Sequence, residues 1–196
     1  NGQDLARWTR SLDIDYGIYY LGPNDLRRQL GHANIPLGQG TRADLALFRV
    51  LVRALDAPPR ILESWAGRRL EAGQLASMRN DLDRVLTATG MLGVRPILAT
   101  HALRADPGAT GEVAHRQVGE ASALLALTPE ATLAAFHDYN DMIRKVSEAR
   151  NLPMADIRAA VPGDPANWGD ATHFRDPGSR LAAQAFAATI LADLAR

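Results

Sequence analysis

The spacing of its short apolar runs constrains this chain most. Tyr16 to Leu21 (YGIYYL) is too short for a buried helix and rich in residues that favour a pleated surface, so it reads as a buried strand. Val94 to Thr100 (VRPILAT) reads as a second strand with Pro96 near its start, and Leu152 to Ile157 as a short third. Helical patterns follow these runs. Gln74 to Thr89 sets Leu75, Met78, Leu82, Val85 and Leu86 on one face, with Gly90 as the expected stop. Thr128-Pro129-Glu130 opens a helix that runs to about Arg150, with Thr as cap and Pro in the first turn. A last amphipathic helix covers about Gly178 to Ala195. Strand and helix in alternation is the grammar of a parallel sheet covered on both faces, so the expected class is α/β with three layers.

The remaining segments fit around that frame. Leu5, Trp8 and Leu12 mark a short helix from Asp4, and Leu45, Phe48, Leu51, Val52 and Leu55 mark another over Arg42 to Leu55, ended by Asp56-Ala57-Pro58-Pro59. Arg104 to Glu120 has glycines and charges without a period, which reads as a long surface loop. Pro162 to Pro177 is dense in Pro, Gly and Asp. At 196 residues with no repeat or linker, a single domain spanning 1–196 is expected.

Composition excludes several classes of function. Lys+Arg and Asp+Glu are both 22, so no basic excess exists to release counterions from a nucleic acid, and none is expected as partner. With no cysteine, disulfides, thiolate metal sites and cysteine nucleophiles are absent together. No run approaches the roughly 18 apolar residues of a membrane-spanning helix. Asn1-Gly2-Gln3-Asp4 does not open a signal peptide, and its Asn-Gly start is the middle of a turn in character, so upstream sequence is expected. Cellular location stays open.

Ligands of parallel sheets bind beyond the carboxyl ends of the strands, which directs attention to Gly22 to Asp25, Thr100 to Arg104 and Pro162 to Asp176. In the last, Asp170 and His173 stand three apart, so the carboxylate can hold one ring nitrogen and leave the other as a general base. With 16 aspartates and five histidines, about 0.4 such pairs arise by chance, so the spacing needs its context. Glu112 and His115 share the spacing and read as a solvated pair. Gly22-Pro23-Asn24-Asp25 reads as a polar turn, in which the Asn24 amide can donate to a developing oxyanion. As ordinary structure the same residues form an Asx turn.

Together these segments resemble the SGNH (GDSL-type) hydrolase family over nearly the whole chain. IYYLGPNDL is similar to that family's third block and WGDATHFRDPGSRLAAQAFA to its fifth. FHDYNDMIRKVSEARNLPMADI is similar to the stretch that leads into the fifth block. The resemblance implies a flavodoxin-like fold, no cofactor or metal, an oxyanion-donating role for Asn24 with Gly22, and a triad containing Asp170 and His173. It also implies an oxyanion-hole backbone N–H at Gly2, if Asn1 to Asp4 are the tail of the second block.

The first block, Gly-Asp-Ser, is absent. Ser11, Ser64, Ser77, Ser122, Ser147 and Ser179 stand in neither Gly-Asp-Ser nor Gly-x-Ser-x-Gly, so no nucleophile can be named. The expectation is a serine esterase or acyl hydrolase acting on a small-molecule ester, its nucleophile and first strands supplied upstream of Asn1 or by a separate chain. Two alternatives stand beside it. One is a non-catalytic carbohydrate- or protein-binding module of the same fold; the other is metal-dependent hydrolysis through His101, Asp170 and His173.

Overall fold

The computed structural model describes residues 12–30, 70–105, 111–125 and 127–196. The expected helices at Asp4 to Leu12 and Arg42 to Leu55, with Gly2, Ser11 and Ser64, lie outside them, Leu12 excepted. The described residues form a mixed α/β structure around a three-stranded parallel sheet: β1 (Tyr16–Tyr19), β2 (Arg95–Ala99) and β3 (Met154–Ala155), in the order β1-β2-β3. Ile18 is in register with Ile97, and Leu98 with Met154. Six α-helices accompany it: α1 (Pro23–Gln29), α2 (Ala72–Met91), α3 (Gly111–Leu125), α4 (Pro129–Ala149), α5 (Ile157–Ala160) and α6 (Asp176–Leu194). A 3-10 turn covers Pro165–Asn167. Among the described residues no helix is long and apolar enough to cross a membrane.

Alternation along β2 divides the core. Leu98 joins a cluster with Leu26, Leu82, Leu125, Phe136 and Ile143, contributed by α1, α2, α3 and α4. The next residue, Ala99, points to the opposite face and joins Ala155, Ile157, Trp168 and Ala182, beside α5 and α6. Both residues are fully buried. Burying a leucine or isoleucine here contributes about 1.5–3 kcal/mol, so the central strand is held from both sides.

Several elements depart from the sequence reading for identifiable reasons. Helix α2 runs through Gly90 to Met91 and stops where Gly93 takes φ 75°, a left-handed conformation that glycine adopts without a Cβ clash. The expected loop from Arg104 to Glu120 contains the start of α3. Val118, Ala121, Ser122 and Leu125 are buried at helical spacing along it. The third strand is two residues long, because Asp156 already caps α5 by accepting from the Ala159 N–H at 3.2 Å. The start of α4 is as expected, with the Thr128 hydroxyl accepting from Ala131 N–H at 3.2 Å. Among the described residues β1 has one strand neighbour, and Ile18 is 47% exposed.

Candidate active site

The carboxyl ends of β1 and β2 bring together three segments. The first is the corner after β1. Gly22 to Asp25 is the beginning of a helix rather than a free turn: Asp25 N–H donates to the Gly22 carbonyl at 2.9 Å, and Asn24 occupies the first turn of α1 with its side chain exposed. Pro23 supplies a preset φ at the first helical position, where its missing N–H is not needed. Gly22 is buried, and its N–H donates to Asp25 Oδ2 at 3.3 Å. A glycine is required there by close approach: a Cβ would lie 2.4 Å from His101 Nδ1.

The second segment is the end of β2. His101 is 4% exposed, with its ring stacked on Tyr20 (centroids 4.8 Å apart) and on Phe136 (5.3 Å). Its backbone is clasped by the buried Asn140 of α4: His101 N–H donates to Oδ1 at 2.7 Å and Nδ2 donates to the His101 carbonyl at 3.0 Å. Burial pushes the His101 pKa down to about 4, against the Leu21 carbonyl, with smaller depressions from His173 and Arg158. The imidazole is therefore neutral at pH 7. Beside it, Thr100 donates to Asp156 Oδ1 at 2.7 Å, and Arg144 reaches Asp156 Oδ2 at 3.2 Å. Burial alone would raise the Asp156 pKa, but those bonds and the Ala159 N–H hold it below the ordinary value.

The third segment is the loop from Trp168 to Phe174. An isolated antiparallel bridge joins its two ends, and Gly169 N–H donates to the His173 carbonyl at 2.8 Å. Trp168 anchors it with its ring 1% exposed and its indole N–H donating to the Pro162 carbonyl at 2.8 Å. Inside the loop Asp170 Oδ1 accepts from the backbone N–H groups of Thr172 and His173, both at 2.9 Å. Short Asp side chains commonly satisfy the backbone of their own turn in this way.

That arrangement fixes the imidazole. His173 Nδ1 lies 2.8 Å from Asp170 Oδ2 and 2.9 Å from Oδ1. An ionised carboxylate only accepts, so Nδ1 carries a proton, and in the neutral ring Nε2 is the lone-pair nitrogen. The His173 side chain is 80% exposed and that of Asp170 19%. Burial would raise the Asp170 pKa, yet the Thr172 N–H, the His173 ring and the His173 N–H together hold it below the ordinary carboxylate range. The aspartate therefore stays charged wherever the imidazole needs a partner.

Among the described serines, Ser77 accepts from Gln29, Ser147 donates to the Leu152 carbonyl and Ser179 lies in the first turn of α6. Ser122 is buried at 2% exposure. None of these four hydrogen-bonds to His173. Among the described residues there is also no group of three His, Cys, Asp or Glu able to hold a metal, which removes the reading through His101, Asp170 and His173. His101 packs between aromatic rings instead. Glu112 is exposed on α3 rather than in a loop. The buried coupling of His101 to Gly22 was not readable beforehand; a histidine directly after a strand was the one signal.

No family model and no curated protein matches the sequence. Among solved structures, a GDSL-like lipase from Bacteroides thetaiotaomicron VPI-5482 is similar at 13% identity with a TM-score of 0.43. The match covers 60% of this chain and 53% of that one, so the chain spans about half the length of the protein it resembles.

Proposed function

We propose that this chain carries the proton-transfer half of a serine ester hydrolase. The observation that supports it is the Asp170–His173 pair: the ring is fixed through Nδ1 at 2.8 Å, and it projects at a strand-end site where a substrate can reach it. In this reading a serine hydroxyl supplied by polypeptide outside residues 1–196 attacks the carbonyl carbon of a carboxylic ester. His173 Nε2 accepts the hydroxyl proton as the C–O bond forms, and Asp170 stabilises the resulting imidazolium. The proton then passes to the departing alcohol oxygen. Water deacylates the serine by the same relay, returning the proton to it.

Asn24 donates its amide to the oxyanion, with backbone N–H groups, Gly2 among the candidates. Gly22 serves the site by letting the corner approach His101, since its own N–H is directed to Asp25. The finer architecture proposed with this function is a single flavodoxin-like, three-layer domain, in which the outside polypeptide also pairs the second edge of β1. Among the described residues that edge has no strand partner and Ile18 of β1 is exposed, and an unpaired strand edge recruits another strand.

The test uses the complete protein with a fluorophosphonate probe and a short-chain p-nitrophenyl ester. Labelling of a serine outside residues 1–196, abolished together with turnover by His173→Ala, is the expected result. Absence of both labelling and turnover in the parent protein would replace the hydrolase with a binding module for carbohydrate or protein.

A further inference from the structure

Asn24 on the short helix α1 and His173 in its loop are both exposed, and among the described residues no hydrogen bond joins their two segments. What they share is a buried neighbour. His101 cannot shift along its strand, because Asn140 holds both its N–H and its carbonyl at 2.7 and 3.0 Å. Its ring cannot tilt freely either, being packed between Tyr20 at 4.8 Å and Phe136 at 5.3 Å with interplanar angles of 22° and 24°.

From this fixed ring two contacts lead outward. One edge meets Gly22, the cap of α1, so closely that a single methyl group would enter the ring at 2.4 Å. Asn24 follows two residues later in the first turn of the same helix. Across the ring face, Tyr20 stacks in turn on Phe174 at 6.3 Å, and Phe174 is the residue after His173. The Tyr20 hydroxyl accepts from Ala102 N–H at 3.2 Å, which ties this intermediate ring to the same strand end.

We propose that His101 is a positioning residue: its buried ring sets the separation between the helix start that carries Asn24 and the loop that carries His173. The inference rests on the hydrolase reading for its catalytic consequence, but its geometric content stands apart from it. A general base and an oxyanion donor must flank one carbonyl, and an error of about 1 Å in their separation is enough to lower turnover by about 100-fold. Neither Asn24 nor His173 is braced against the other directly. The His101 ring, pressed against Gly22 on one side and linked through Tyr20 to Phe174 on the other, supplies that brace, and the histidine makes no proton transfer itself.

The test compares His101→Ala, Gly22→Ala and the double variant in the complete protein, with Leu82→Ala as a core substitution away from the site. Two readouts are taken: NMR resonances of the Asn24 side-chain amide and the His173 imidazole, and kcat and KM for p-nitrophenyl acetate. His101→Ala is expected to shift both sets of resonances and to lower kcat by about 10- to 100-fold while KM changes less than about threefold. Gly22→Ala, which pushes on the ring from the other side, is expected to act in the same way and serves if His101→Ala does not fold. In the His101→Ala background the added methyl has room, so Gly22→Ala should then change kcat by less than about twofold. Leu82→Ala should lower the melting temperature and leave both resonances in place.

Shifts confined to one of the two segments, or additive effects of Gly22→Ala and His101→Ala, would overturn the proposal. So would an equal response to Leu82→Ala. Coupled shifts in a parent protein without ester turnover would support the positioning role and remove the hydrolase reading, so the two failures are distinguishable.

Discussion

The two ends of the sheet use similar polar groups to opposite effect. At the amino-terminal end, Asp193 of α6 accepts from Arg95 at 3.0 and 3.1 Å and from the Tyr16 hydroxyl at 3.1 Å, while Arg95 also donates to the Asn151 carbonyl at 3.3 Å. Each carboxylate oxygen is occupied, and the network ties β1 and β2 to the last helix. At the carboxyl-terminal end, Asp170 is equally well bonded, but its partner imidazole stands 80% exposed. A polar network that closes on itself holds elements together; one that orients a proton acceptor and leaves it accessible can do chemistry.

The sharpest way to break this comparison is His173→Ala in the complete protein. Turnover of a competent ester should fall by about three orders of magnitude or more, with the thermal midpoint nearly unchanged, because the side chain is exposed and its partner can be hydrated. Asp170→Asn should lower turnover on a comparable scale and also loosen the loop that its carboxylate caps. Activity near the parent level in His173→Ala, measured as kcat/KM, would make the two ends equivalent and end the triad assignment.

Acidification should separate the ends next. The native pKa of His101 is about 4, below the ordinary value of 6.5, so between these values the unfolded chain binds a proton that the native protein excludes. Stability should therefore fall as pH decreases from about 6.5 to 4, by roughly 3 kcal/mol, and then level off for this group. The depressed carboxylates Asp170, Asp156 and Asp193 act lower. Their contributions are present above their ordinary value of 3.8 and are lost as pH falls through their native values. Urea titrations from pH 7 to 4 should show the slope in the parent and a flatter profile in His101→Gln. An unchanged slope would show that His101 is not the group responsible.

Smaller effects belong to the amino-terminal end and the surface. Arg95→Ala should lower the melting temperature by about a few degrees without changing kcat, because it opens a structural network far from the site. A change in kcat would mean that the two ends are coupled. Asp81→Ala, which removes exposed pairs to Arg28 and Arg84 at 3.1 and 3.2 Å, should change stability by less than about 1 kcal/mol in chemical denaturation.

Legibility followed the distance over which each feature is determined. The Asp170–His173 pair is legible because its two residues stand three apart in one loop, and Thr128 because a cap bonds within its own turn. Strand β2 stands out through the apolar run Pro96 to Ala99. Helix α3 is hard to read because its first half, GEVAHRQ, mixes glycine, charges and isolated apolar residues without a stripe. Asn24 was placed in a turn since a local pattern of Gly, Pro, Asn and Asp serves a turn and a helix start equally. Glycines were the least legible: Gly90 lies within α2, while Gly93 ends it.

By itself the sequence determined the alternation of strand and helix, the parallel class that follows from it, and the local chemistry of the Asp-x-x-His loop. These depend on side-chain periodicity and on bonds closed within a few residues. Tertiary structure alone decided that His101 is buried and neutral between Tyr20 and Phe136, and that Gly22 is required by a ring 79 positions away rather than by its own turn. It also decided that Asp193 closes the opposite end of the sheet against Arg95. Such contacts join residues remote in sequence, and their energies depend on desolvation and on shape, neither of which is encoded in any one stretch of chain.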